Sequence, residues 1–84
     1  MSYLVFLLPR AQKGLARLPK GIYEHMRDSI RNLGQQPRPA GCIKLSGRNG
    51  WRIRVGDYRA IYEINDKEKT VTVLDINHRR EIYR

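Results

Sequence analysis

The chemistry in this chain concentrates in three arginines. Apolar and basic residues alternate in Trp51-Arg52-Ile53-Arg54-Val55, and Arg59 follows in Tyr58-Arg59-Ala60-Ile61-Tyr62. A period of two puts Arg52 and Arg54 on one face of a strand and Trp51, Ile53 and Val55 on the other. A two-residue turn at Gly56-Asp57 then sets Val55 opposite Tyr58, Arg54 opposite Arg59, Ile53 opposite Ala60, Arg52 opposite Ile61 and Trp51 opposite Tyr62. One face collects Trp51, Ile53, Val55, Tyr58, Ala60 and Tyr62. The other collects Arg52, Arg54 and Arg59. Guanidinium groups grip phosphate oxygens in pairs and stack on bases. Like charges directly opposite one another destabilise a hairpin, so three guanidiniums on one small patch make sense where a polyanion binds. A solvated strand face, with Glu63 as a nearby counter-charge, is the plain alternative.

The whole composition leans the same way. The formal net charge is +9, and twelve of the 17 basic residues are arginines. A basic footprint of this kind makes nucleic acid the leading partner class, with an acidic protein partner also compatible. The tail His78-Arg79-Arg80-Glu81-Ile82-Tyr83-Arg84 adds three cations and the last aromatic ring. His78 is the one tunable acid–base group near that cluster and is a candidate for proton transfer. His25 falls within a helix and carries no assigned role. Neither a carboxylate pair nor a His/Cys cluster suited to a metal is visible, and no cofactor is expected.

These residues need a sheet to hold them. Tyr3 to Leu8 reads as a short buried strand that ends at Pro9, a residue suited to the first position of a helix. Ala11, Leu15 and Leu18 form one apolar face, with Arg10, Lys13, Arg17 and Lys20 on the polar side. Pro19 restarts the chain, and Ile22, Met26, Ile30 and Leu33 predict a second amphipathic helix closed by Gly34. Gln35 to Gly41 reads as a loop and Cys42 to Leu45 as a short strand, with a turn expected at Asn49-Gly50. Trp51 to Val55 and Tyr58 to Ile64 are the arginine-bearing strands, Asn65 to Lys69 is a polar turn, and Thr70 to Ile76 is an interior strand. The expected architecture is α+β, in the order β-α-α-β-β-β. A two-helix hairpin packs on one face of a mostly antiparallel four-stranded sheet.

Eighty-four residues suffice for one domain, spanning 1–84. A chain this short buries only about 60% of its unfolded surface. Cys42 is the only cysteine, so no intrachain disulfide is available, as expected of a reducing cytoplasm. The apolar run Leu4 to Leu8 is too short for a signal peptide's core and follows no basic segment. No stretch approaches the roughly 20 apolar residues of a membrane span. The reading is a cytoplasmic domain without membrane contact.

The string from Trp51 to Ile64, followed by Val71 to Ile76 and His78-Arg79-Arg80-Glu81-Ile82-Tyr83, resembles the RelE branch of the RelE/ParE toxin superfamily. The likeness runs from the first strand to the last residue. It implies a toxin of a type II toxin–antitoxin system, an endoribonuclease that cleaves mRNA in the ribosomal A site and is held silent by a cognate antitoxin, in a heterotetramer or larger assembly. By this resemblance Arg59, Arg79 and Tyr83 are catalytic, with His78 as a further candidate. Arg52, Arg54, Lys44, Arg48 and Arg80 contact RNA. Some relatives carry lysines where this chain has Arg52 and Arg54, which leaves the general base open. The rival functions are a ParE-like inhibitor of DNA gyrase and an RNA-binding domain without catalysis.

Overall fold

Pro9 ends the first strand and begins the first helix in the computed structural model, which describes residues 2–47 and 49–78. The elements are β1 (Leu4–Leu7), α1 (Pro9–Ala16), α2 (Lys20–Asn32), β2 (Ile43–Lys44), β3 (Trp51–Val55), β4 (Tyr58–Asn65) and β5 (Thr70–His78). Proline serves at the start of α1 because its fixed φ is already helical and its missing N–H would have had no partner in the helix. Two residues along, Ala11 is buried. Gly14 lies so close to β5 that a side-chain carbon there would collide with the Ile76 carbonyl oxygen. Glycine is required at that position by close approach, not by an unusual φ.

The second helix buries Met26 and Ile30, and Leu33 follows at its C-cap. Gly34 comes next, but it does not act as the left-handed terminator that its position suggested, since its φ is not positive. Its carbonyl accepts a 2.6 Å bond from the Tyr3 N–H, and an added Cβ would lie 3.0 Å from the Tyr3 carbonyl oxygen. The glycine lets the end of α2 press against the segment that enters β1.

The sheet has five strands in the order β1-β5-β4-β3-β2, where four were expected. The fifth is β2, the short strand read at Cys42 to Leu45 but left out of that count; it is a two-residue edge strand with Ile43 opposite Arg52 and Lys44 opposite Trp51. The pairing of β1 with β5 is parallel, and the other three are antiparallel. Both helices cover one face. There Ala11, Met26, Ile30 and Leu33 pack against Ile53, Val55, Ala60, Tyr62, Val71, Val73 and Ile76. The interior placement of β5 is as read from its β-branched run. β1 is not a buried strand, because it lies at the sheet's edge. Val5 and Leu7 turn toward the core, while Leu4 and Phe6 point to the uncovered face and are 66% and 51% exposed. No described helix is long and apolar enough to cross a membrane.

Two turns close differently from one another. Gly56 has φ +59°, and its neighbour Asp57 has an ordinary φ, the pattern of a two-residue turn with glycine first. Between β2 and β3 the expected Asn49-Gly50 turn does not form. The positive φ falls on Gly47, and Gly50 is buried against Leu45, whose N–H bonds the Gly50 carbonyl at 2.9 Å. The connection from Leu45 to Gly50 is too long for the two-residue turn that Asn-Gly favours.

A polar lashing ties the loop after α2 to the sheet. Arg38 pairs with Asp66 at 2.8 Å, and the Tyr3 hydroxyl donates to the same carboxylate at 2.6 Å. The Tyr62 hydroxyl donates to the Pro37 carbonyl at 2.8 Å, and burial pushes that phenol's pKa up, so it stays protonated and remains a donor. The bonds from Arg38 and Tyr3 hold the Asp66 carboxyl at about 2, against an ordinary 3.8. A carboxyl made more acidic by folding stabilises the fold at pH values above its ordinary 3.8, and that contribution is lost as pH falls toward about 2.

Two measurements check this account. Chemical unfolding followed between about pH 5 and about pH 2 should show the wild type losing its advantage over Asp66→Asn as the pH drops through that window. The two curves should converge at the acid end. Gly14→Ala should cost about 1–3 kcal/mol through overpacking against β5. Gly21→Ala, in the first turn of α2 with open space around it, should instead be neutral or stabilise by up to about 1 kcal/mol. Equal melting temperatures for the two glycine variants would refute the close approach of α1 to β5.

Candidate nucleic-acid interface

The hairpin of β3 and β4 has the register read from its sequence. Trp51 pairs with Tyr62, Arg52 with Ile61, Ile53 with Ala60, Arg54 with Arg59, and Val55 with Tyr58. Because side chains alternate, this register fixes the chemistry of both faces at once. Arg52, Arg54 and Arg59 all point to the face that the helices leave open. They line a cleft of about 500 Å³, together with Ile43 from β2 and Gly41 from the loop before it. Arg54 is braced by its Nε, which donates to the Gly56 carbonyl at 2.8 Å. The turn that sets the register therefore also holds one of the cations.

The floor of this face is less polar than its rim. Ile61 shares the face with the arginines yet is only 1% exposed. It stands in register between Arg52 on β3 and Asp75 on β5. Burial of Ile61 lowers the local dielectric beside Arg52 and strengthens the attraction of its guanidinium for an anion. Just beyond Ile61 the β4–β5 register shifts. Ile61 pairs with Asp75 and Tyr62 with Val73, so Leu74 is the extra residue of a bulge. The bulge breaks the period-two alternation, so Val71 and Val73 stay in the core while Asp75 and Asn77 face the arginines' side.

Asp75 and Asn77 are the polar residues that sequence reasoning passed over. They are 6% and 7% exposed. The Asn77 amide donates to the Asp75 carboxylate at 3.0 Å, and the Arg10 Nε on α1 lies 3.5 Å from the same carboxylate. Asn77 is the direct cross-strand partner of Arg59. The available signal was a carboxylate in the otherwise apolar run Val73-Leu74-Asp75-Ile76, since a buried charge needs a partner.

Two of the other expected site residues lie away from the cleft. Lys44 shares the face of Trp51 and sets its ammonium 5.8 Å from the indole centre, on the opposite side of the sheet from the arginine trio. Arg38 stacks on that ring at 5.3 Å. His78 pairs with Tyr58, rings edge to face at 5.1 Å, and so belongs to the helix-covered side of β5. Neither Lys44 nor His78 lines the arginine cleft. Arg48, Arg79, Arg80 and Tyr83 lie outside the described residues.

Comparison with known proteins places this geometry in a wider set. A family model described as the ParE toxin of type II toxin–antitoxin systems, parDE, matches residues 5–83. The toxin RelG of Mycobacterium tuberculosis is 30% identical over 86 aligned positions, covering 100% of this chain and 99% of RelG. Among solved structures, the archaeal RelE–RelB complex from Pyrococcus horikoshii contains a chain with a TM-score of 0.84 and 33% identity, covering 98% of this chain and 100% of that one. The RelBE2 toxin–antitoxin complex of Mycobacterium tuberculosis gives a TM-score of 0.77 at 25% identity, with 93% and 99% covered.

If the cleft is built for phosphate, inorganic phosphate should bind the folded protein and raise its melting temperature by mass action. The rise should exceed that produced by sodium chloride at equal ionic strength. It should shrink in Arg52→Ala and Arg54→Ala, compared by thermal unfolding across a phosphate titration. Identical shifts with phosphate and chloride would leave the cleft without anion selectivity.

Proposed function

The chain belongs to the RelE/ParE superfamily of type II toxin–antitoxin toxins, and on that premise we propose that it is an endoribonuclease that cuts mRNA in the ribosomal A site without a metal. The observation that carries this reading is the convergence of Arg52, Arg54 and Arg59 in one cleft. In the proposed reaction the substrate's 2′-oxygen attacks the adjacent phosphorus as its proton is removed. The bond from phosphorus to the 5′-oxygen breaks, and that oxygen leaves with a proton. Charge builds on the non-bridging oxygens, where fixed guanidiniums stabilise it without reorganising. Holding the nucleotide so that attack and departure are in line supplies much of the remainder.

In this reading Arg59 and Arg79 grip the phosphate oxygens. Arg54 binds the same group or the next phosphate, and Arg52 steers the backbone. Tyr83 stacks on a base or orients the nucleophile. Lys44, Arg48 and Arg80 are the outlying RNA contacts. His78 is the weaker proton-transfer candidate because it sits on the helix side of β5, so His78→Gln should cost less than losing Arg59. The solved relatives from Pyrococcus horikoshii and Mycobacterium tuberculosis are complexes with an antitoxin. We take a cognate antitoxin as this chain's partner too. It would cover the arginine face or displace the segment from Arg79 to Tyr83, in a heterotetramer or larger assembly. A second reading draws on the ParE description of the family model: a toxin that binds DNA gyrase and cuts nothing.

Primer extension on mRNA after induction, beside a gyrase supercoiling assay, separates these readings. Binding of RNA without cleavage or gyrase inhibition would leave a non-catalytic RNA-binding domain. For an endoribonuclease, Arg59→Ala or Arg79→Ala should slow cleavage by ~10²–10³, about 2.7–4 kcal/mol, with a much smaller change in RNA affinity. Arg59→Lys should recover only part of the rate, because lysine keeps the charge and loses the fork. Tyr83→Phe stays active if the ring only stacks and fails if the hydroxyl acts. An Arg59→Ala, Arg79→Ala double variant that folds and cuts as fast as wild type in EDTA would remove these residues from the active site.

A further inference from the structure

A second basic cleft lies around the corner from the first. It holds about 230 Å³ between α1 and the far end of β5. Arg10 and Lys13 of α1 and Arg17 at its C-cap line one wall. Asp75, Asn77 and His78 line the other. The three cations are exposed, whereas Asp75 and Asn77 are buried. Among the described residues, Asn77 Oδ1 is buried and accepts no hydrogen bond. The cleft therefore combines mobile positive charge at its mouth with fixed acceptors at its base.

The two clefts adjoin. Arg59 lines the first and Asn77 the second, and the two residues face each other directly across β4 and β5. Directly opposed residues in an antiparallel pair stand about 4.5–5.5 Å apart at Cα. A strand passing from one cleft to the other would cross the edge of β5 at Asp75 and Asn77, where Arg10 sets a cation 3.5 Å from the Asp75 carboxylate.

We infer that the α1–β5 cleft is a second subsite for single-stranded RNA, holding a phosphate next along the strand from the one bound by the arginine trio. This rests on the endoribonuclease reading for the direction of the strand, though not for the binding itself. Phosphate meets Lys13, Arg17 and Arg10. The 2′-hydroxyl beside it can donate to the Asp75 carboxylate, which already faces Arg10 at 3.5 Å, as the 2′-hydroxyl does where proteins distinguish RNA from DNA.

The test measures binding with RNA that cannot be cut. Fluorescence anisotropy with 2′-fluoro RNA, which lacks the attacking hydroxyl, compares a dinucleotide with a strand of roughly eight nucleotides, a length common for single-strand sites. Lys13→Ala with Arg17→Ala should weaken binding of the longer strand and leave the dinucleotide unchanged. The log–log salt slope for the longer strand should shrink by about 0.7 for each phosphate that is no longer neutralised, so by up to about 1.4. Lys13→Arg with Arg17→Lys should keep the wild-type slope. Unmodified RNA of the longer length, read in the Arg59→Ala, Arg79→Ala background that should not cut it, should bind more tightly than the matching DNA or 2′-fluoro strand.

Equal losses at both lengths would show a general charge effect and overturn the subsite, as would no loss at either. A loss of oligoglutamate binding as large as the loss of RNA binding would assign the cleft to an acidic protein segment instead. Cations that only complement the end of α1 would change the melting temperature and not the length dependence, which would also overturn it. Should the wild type bind RNA and never cleave it, the catalytic reading fails while the length dependence still decides the subsite.

Discussion

Everything on the open face depends on one backbone angle. Gly56 takes φ +59°, a conformation a side chain makes costly, and so lets β3 turn into β4 in two residues. A loop longer or shorter by one residue would slip the register. Each slip of one exchanges the faces of every side chain on the strand. Ile53 and Val55 would leave the core, and Arg52 and Arg54 would be driven into it. The burial of the apolar residues and the convergence of the cations are thus one constraint seen from two sides. The repulsion between Arg54 and Arg59 is retained because the core on the other face holds the hairpin in place.

The rest of the fold serves to keep that face bare on one side and supported on the other. Gly14 lets α1 lie directly on β5, and Gly34 lets the end of α2 press against the entry to β1. Both helices are thereby held on the core side. The bulge at Leu74 allows a strand that is apolar through Val73 to present Asp75 and Asn77 to the arginine side. These two polar residues are buried together with Ile61, and Asp75 is neutralised from α1 by Arg10 at 3.5 Å.

Local chemistry makes much of this readable from the sequence. Period-two alternation and Gly56-Asp57 are enough to assign the β3–β4 pairing residue for residue, because a two-residue turn leaves one register. The helices follow from apolar spacing and from Pro9 and Pro19. Information that lives in packing is harder to read. That β1 is an edge strand depends on its pairing with a strand more than sixty residues away, and its apolar sequence is equally suited to an interior place. Gly34 misleads because close approach and left-handed geometry both select glycine. Asn49-Gly50 has the composition of a tight turn, but Leu45 and Gly50 meet across a longer loop. Lys44 and His78 carry the right chemistry for the site, yet the alternation of β2 and β5 turns both toward the helix side. Within the site, the trio is legible as a cluster. Asp75 and Asn77 are not, since their meaning comes from Arg10 on another element.

The parallel pairing of β1 with β5 has a consequence for timing. Among the described strands, β1 is made first and has no neighbour until residues 70–78 have emerged. The core has the same dependence, because α1 and α2 pack against Val71, Val73 and Ile76 as well as against the hairpin. Contacts between such distant segments slow folding, and they cannot form on a partial chain. A nascent fragment therefore carries the arginine strands without the frame that aligns them. The described sheet can close only after β5 has been made.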